Sequence, residues 1–261
     1  MAAPSNPAPE RTIAEVLREN QELRRSLARL TEREAKAERE NDSASEQLRQ
    51  FLYAASHDLQ EPLRAILTYA ELLDRQFATD DAAHEYSSFI IGGAHRMKDL
   101  LQHIVTYSRA GSAKQRTLIS LNVPLQRALL KLTPDIQASC ARIVRNPLPE
   151  AIADEAEIAQ VFENVLANSL KFRSAAEPEI VISAEQGSDE CTVTVRDNGL
   201  GVEPRFCGHA LLPFKRLHNG QIPGSGLGLA ICEKIVRAHK GRIWLESDGC
   251  QGTTVSFTLP L

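Results

Sequence analysis

Three groups of residues stand at spacings that phosphate and metal chemistry would use. Asn164, Asn168 and Lys171 fall at i, i+4 and i+7 within residues 158–171, so a helix there puts them on one stripe. Apolar residues at 158, 161, 162, 165, 166 and 170 give the same helix a buried face. Polar groups on so apolar a helix need partners. Either they form an exposed polar stripe, or the two amide oxygens face a metal ion and the lysine faces phosphates. The second group is Asp197-Asn-Gly199-Leu-Gly201, a carboxylate at the end of the alternating, strand-like run Cys191-Thr-Val-Thr-Val-Arg196. The third is Gly224-Ser-Gly226-Leu227-Gly228, which runs into residues 229–236; apolar positions at 227, 231, 235 and 236 keep helical spacing. The glycines therefore lie at a helix N-terminus, whose unpaired N–H groups and dipole attract phosphate. A lone Gly-x-Gly-x-Gly fits a plain loop as well as a phosphate cradle.

Taken in order, these blocks resemble the nucleotide site of the GHKL ATPases, the superfamily of sensor histidine kinases, gyrase, Hsp90 and MutL. The N, G1 and G2 boxes of that family fall on 164–171, 197–201 and 224–228. The resemblance implies ATP and Mg²⁺ as cofactors, with Asn168 ligating the metal and Asn164 and Lys171 near the phosphates. It implies that Asp197 accepts a hydrogen bond from the adenine amino group, a role suited to an ionised carboxylate, which only accepts. Gly199, Gly201, Gly224, Gly226, Leu227 and Gly228 complete the implied ATP-binding set. Between Gly201 and Gly224 lies a segment with Pro204, Pro213 and Pro223, long for a connection without regular structure and so expected to be a lid. Lys215 and Arg216 within it could clamp the γ-phosphate.

A further motif, Ala54-Ala-Ser-His-Asp-Leu-Gln-Glu-Pro-Leu-Arg-Ala-Ile66, resembles the dimerisation and phosphoacceptor motif of histidine kinases, in the version seen in phytochrome-like kinases. It implies that His57 is the phosphorylated residue and Asp58 its neighbouring base. Neutral imidazole is nucleophilic near pH 7, and a carboxylate beside it can orient the ring and take its proton. Pro62 lacks an N–H and should kink the helix just beyond. A Ser56–His57 hydrolase pair is a poor alternative, since adjacent helix residues do not face each other and no nucleophile elbow surrounds the serine. His84, His95 and His103 fall in a helical stretch. His209, His218 and His239 fall in or beside the lid, and no cluster has metal-ligand spacing.

These residues need elements to hold them, and the chain divides accordingly into an α+β protein. Residues 1–10 are proline-rich and expected to be disordered. Residues 11–50 keep one heptad register, with Ile13, Asn20, Leu27, Glu34, Asn41 and Leu48 at a and Val16, Leu23, Leu30, Ala37, Ala44 and Phe51 at d. Glu19–Arg24 and Arg33–Glu38 fall at g–e′ positions, as a parallel coiled coil requires; a single solvated helix is the alternative. Residues 45–110 read as a helical hairpin, helices near 45–77 and 84–110, which would form a four-helix bundle in a dimer. Residues 111–116 are the linker. From 117 to 261, strands near 142–145, 179–184, 191–196, 242–247 and 253–259 alternate with helices near 123–138, 155–172 and 226–239, a two-layer α/β sandwich of the GHKL (Bergerat) type.

The bulk properties agree. The chain has 261 residues, is 43% hydrophobic and carries a formal net charge of −4, which gives no reason to expect nucleic acid as a partner. Five scattered cysteines suit a reducing compartment. No apolar run approaches the ~20 residues of a membrane span, so a soluble, cytoplasmic protein is expected. The resemblance implies a homodimeric histidine kinase that passes its phosphoryl group to an aspartate on a response-regulator receiver domain. An upstream sensory protein is a further expected partner. The rivals are a GHKL ATPase or anti-sigma-type serine kinase, which lacks a His57 helix, and a non-enzymatic dimeric scaffold. Two residues depart from the family pattern. Glu61 stands where Thr or Asn commonly helps dephosphorylate the regulator, so that activity is not expected. Leu211 stands where the lid usually has its first Phe, although Phe214 is kept.

Overall fold

The computed structural model describes residues 50, 52–113, 115–216 and 224–261. The expected tail and nearly all of the expected coiled coil lie outside the described residues, as do lid residues 217–223 with His218.

Two helices open the described chain: α1 (52–76), which continues through Pro62, and α2 (Asp81–Arg109). The turn between them ends at Asp80, whose side chain accepts from the N–H groups of Ala82 and Ala83 at 3.1 Å each, capping α2. Across the turn, His84 Nδ1 lies 2.8 Å from Asp74 Oδ1, and the Ser87 hydroxyl donates to the same oxygen. The Ser87 hydrogen bond, with His84 beside it, holds the Asp74 carboxyl below its ordinary value. The interior of the hairpin is slight. Leu63, Leu67 and Ala94 form its buried cluster, with Ile91 and Leu101 against it.

The second part contains β1 (Thr117–Ser120), α3 (Asn122–Lys131), α4 (Thr133–Ser139), β2 (Arg142–Arg145), β3 (Glu150–Ala153), α5 (Glu155–Lys171), β4 (Glu179–Gln186), β5 (Glu190–Asp197), α6 (Gly228–Ala238), β6 (Ile243–Glu246) and β7 (Thr254–Pro260). Five strands form one sheet in the order β2-β4-β5-β7-β6; β2 and β4 are parallel and the other pairs antiparallel. Alternation sets which face is buried. Cys191, Val193 and Val195 of β5, and Val255, Phe257 and Leu259 of β7, point into the core beneath the helices. From above, α5 contributes Ile158, Val161, Phe162, Val165 and Leu166; the rings of Phe162 and Phe257 meet edge to face at 5.7 Å.

The sequence pattern and the structure differ in three places. The expected helix over 123–138 is two helices, broken at Leu132. Pro134, near the start of α4, has no N–H to continue the ladder of α3. Strands β1 and β3 form a separate two-stranded antiparallel sheet that the pattern did not announce, because each is four residues long and has few alternating positions. His239, expected beside the lid, is a core residue at the end of α6 and is 1% exposed. Its Nε2 accepts from the Asp154 N–H at 3.0 Å while its Nδ1 lies 2.8 Å from the Ile235 carbonyl, an arrangement that calls for the proton on Nδ1. It ties α6 to the start of α5.

Candidate active site

The polar stripe on α5 follows from the packing of that helix. Asp154 caps it by accepting from the Glu157 N–H at 2.9 Å, and its apolar face is pinned to the sheet. Asn164, Asn168 and Lys171 are thereby turned toward the loop that enters α6. A cavity of about 270 Å³ lies between them. Asn164, Asn168, Ser169 and Lys171 from α5 line it, with Asp197 from the end of β5, Gly201, Lys215 and Arg216, and Gly224, Gly226 and Gly228 from the loop.

Asp197 is held by three donors. Its Oδ1 accepts from the N–H groups of Gly199 at 2.9 Å and Thr253 at 3.0 Å, and its Oδ2 accepts from the Ser169 hydroxyl at 2.9 Å. A carboxylate has roughly four lone-pair sites, so one more donor can be accepted from the cavity. The chain before Thr253 must come close to β5 for this. Gly252 has φ +96°, and a Cβ there would lie 1.9 Å from the Asp197 carbonyl oxygen. Gly252→Ala is therefore expected to destabilise the domain by about 2–4 kcal/mol, through left-handed strain and steric displacement. A lowered urea midpoint together with weakened nucleotide binding would show it.

At the other wall, Gly226 takes φ +70° just before α6, whose N-terminus at Leu227 has no side-chain cap. The Phe214 N–H donates to the Gly226 carbonyl at 3.0 Å, joining the lid segment to the loop. Lys171 is packed against Gly224 and lies 5.0 Å from the Phe172 ring centroid. Burial pushes the Lys171 ammonium below its ordinary value, and the nearby Arg216 guanidinium adds to that. Two cations converging on a helix N-terminus make a strongly anion-seeking wall. Among the described residues, no group of three or more His, Cys, Asp or Glu side chains could hold a metal. Mg²⁺, which keeps several waters and takes few protein oxygens, fits the Asn168 amide on this wall. The buried Asn164 amide, with the weakly accepting Cys232 sulfur beside it and no nitrogen or oxygen partner for its Nδ2, fits a site built around a polar ligand.

Ten of the residues singled out in the sequence come together here: Asn164, Asn168, Lys171, Asp197, Gly201, Lys215, Arg216, Gly224, Gly226 and Gly228. Gly199 and Leu227 do not line the cavity. Gly199 acts on Asp197 through its N–H, and the Leu227 side chain is fully buried in the core. His57 and Asp58 are elsewhere, on α1, with Nδ1 and Oδ1 3.3 Å apart and side chains 73% and 81% exposed. Ser169, Thr253 and His103 line the cavity without having been singled out for it. Ser169 stood next to Asn168, but its pairing with Asp197 depends on how α5 sits over β5. All five cysteines are unpaired; Cys191, Cys207 and Cys232 are buried, whereas Cys140 and Cys250 are exposed. Burial pushes the Cys232 thiol up to about 12.

Comparison with known proteins gives each half a family. Residues 47–113 match the His Kinase A (phospho-acceptor) domain, and residues 153–261 match the histidine kinase-, DNA gyrase B-, and HSP90-like ATPase family. The chain has the two domains of a sensor histidine kinase. His57 lies in the first, and the cavity residues of α5, β5 and the glycine loop lie in the second. Cyanobacterial phytochrome A of Nostoc sp. (strain PCC 7120) is 36% identical to this chain over 248 residues, which are 92% of this chain and 32% of that protein. The chain spans about a third of the length of the curated relatives it matches. Full-length ShkA, solved in complex with AMPPNP, aligns with a TM-score of 0.63 and 22% identity, covering 81% of this chain and 45% of that one. The histidine kinase ThkA, solved in complex with the response regulator protein TrrA, aligns with a TM-score of 0.57 and 20% identity, covering 81% and 61%. At such identities these two structures show a shared fold. No helix among the described residues is long and apolar enough to cross a membrane.

Proposed function

We propose that this chain is a homodimeric, cytoplasmic histidine kinase. It binds Mg-ATP in the cavity above α5, moves the γ-phosphoryl group to His57, and passes it to an aspartate of a response-regulator receiver domain. The observation that carries this reading is the convergence of the fixed Asp197 carboxylate, the Asn164–Asn168–Lys171 stripe and the N-terminus of α6 on one cavity. In this reading Asp197 receives the adenine amino group, and Lys171, Lys215, Arg216 and the α6 N–H groups hold the phosphates. Asn168 holds Mg²⁺, which when bound neutralises charge on the phosphate oxygens. His57 is exposed and outside the cavity, so transfer requires the imidazole and the nucleotide domain of its own or the partner subunit to approach. At contact, an imidazole nitrogen attacks the γ-phosphorus, the bond to the β-phosphate oxygen breaks, and ADP leaves. Asp58, beside Nδ1, orients the ring and accepts its proton.

Several observations support the partners. Leu59, Ile66, Leu73, Phe89, Ile90 and Met97 are exposed on the hairpin, a larger apolar surface than a lone hairpin keeps in water, and a second copy would cover it. The complex of a like-folded kinase with its regulator supports a receiver domain as phosphoryl acceptor. Five unpaired cysteines suit the cytoplasm. An upstream sensory protein would supply the signal.

The reading is tested by the chemistry of the bond formed. Incubated with γ-labelled Mg-ATP, the chain is expected to take up label that is lost in acid and kept in base, as a phosphoramidate is. Acid-stable label would instead favour a serine kinase of the same superfamily. Absence of both label and ATP binding would favour a scaffold.

A further inference from the structure

The hairpin contributes a side chain to the nucleotide cavity. His103, on α2, is the one residue of the hairpin that lines it among the described residues. Its Nδ1 is buried and has no hydrogen-bond partner. The same residue lines a second, polar cleft of about 390 Å³ between α2 and the α3–α5 layer, and Asn164 is its companion in both. The two cavities thus meet at His103, which brings a buried nitrogen without a partner, and at Asn164, whose buried amide has the weakly accepting Cys232 sulfur beside it.

Position along α5 says which end of a ligand His103 would meet. Asn164 precedes Ser169, the residue bonded to Asp197, by five residues, which is about 7.5 Å of helix. Asn164 and Asn168 are also the side chains nearest Gly228, at the first turn of α6. A nucleotide with its base at Asp197 would therefore bring its phosphates, not its base, toward His103.

The placement of α2 is fixed one turn further on. Lys234 Nζ, from α6, donates to the Tyr107 carbonyl at 2.8 Å and the Ser108 carbonyl at 3.1 Å, and stands 4.9 Å from the Tyr107 ring centroid. A cation on the last carbonyls of a helix is favoured by the helix dipole. Beyond it, the Ala113 N–H donates to Glu157 Oε1 at 3.2 Å, which ties the linker to α5. One helix, α6, thus presents its N-terminus to the phosphate wall and a later turn to the end of α2.

We propose that His103 completes the nucleotide site from the hairpin: its imidazole bonds the phosphate portion of bound ATP, so that nucleotide occupancy tightens the docking of α2 on α5 and α6. This rests on the reading of the cavity as an ATP site. His103 acts here as a positioning residue. It makes the phosphoacceptor hairpin part of the ligand's surroundings, and so lets occupancy of one domain be felt in the other.

The test uses the full chain carrying His57→Gln, so that binding is measured without phosphoryl transfer. His103→Ala in that background should weaken Mg-ATP binding by calorimetry roughly tenfold, the size of one lost hydrogen bond to a charged ligand. His103→Gln, which keeps a hydrogen-bonding nitrogen, should recover most of it. A merely structural His103 would not change the second readout: amide hydrogen exchange over 100–110 should slow on adding Mg-ATP in the parent and not in His103→Ala. Equal affinities, or equal slowing in parent and His103→Ala, would overturn the proposal while leaving the ATP site standing. Failure of the parent itself to bind ATP would overturn both.

Discussion

Replacing Asn168 by Ala is expected to reduce the rate of ATP-dependent labelling by roughly 100-fold or more at a fixed Mg²⁺ concentration, with the remaining activity needing far more Mg²⁺. Asn168 lines the cavity from the last turn of α5, one residue before the Ser169 that bonds Asp197 and one turn beyond Asn164. Its amide is the oxygen assigned to the metal, and Mg²⁺ accepts few protein ligands to compensate for the loss of one. The fold should survive, because the residue is half-buried on the polar side of α5 and alanine is the better helix former. Thermal unfolding of the variant should therefore match that of the parent. Labelling within a few-fold of the parent would mean that the metal is held elsewhere.

The features legible in the sequence were those written in short-range spacing. The stripe at i, i+4 and i+7 survives in the structure as one wall of the cavity because the apolar residues between its members fix the rotation of α5. The alternation of β5 likewise put Val193 and Val195 inward and left Asp197 at the strand end. The glycine loop foretold the start of α6 to within two residues, since a φ of +70° at Gly226 is awkward for any other residue. What stayed hidden depends on contacts between distant segments. Thr253 reaches Asp197 across 56 positions, and no local pattern marks it. His239 resembled a lid residue by its place in the chain, yet its two ring nitrogens serve Ile235 and Asp154 in the core. His103 reads in the sequence as one of several helix histidines, and its place on the cavity wall depends on how α2 packs against α6. The break at Leu132 was readable after all, in Pro134, but the apolar periodicity on both sides of it masked the stop.

His57→Gln is expected to abolish label transfer from γ-labelled ATP altogether while leaving Mg-ATP affinity within about twofold of the parent. The two halves of that expectation have separate grounds. Glutamine keeps a polar side chain of similar reach but has no nitrogen able to attack phosphorus, since its amide lone pair is delocalised. The His57 side chain is 73% exposed on α1, so the fold has little reason to change. His57 is also absent from the cavity wall, so the nucleotide should not register the substitution. A paired measurement on one preparation, radiolabel incorporation beside calorimetric ATP binding, tests the central claim that this cavity serves that histidine. Full binding with no label is the predicted result. Label that persists in the His57→Gln chain, above all acid-stable label, would contradict the account.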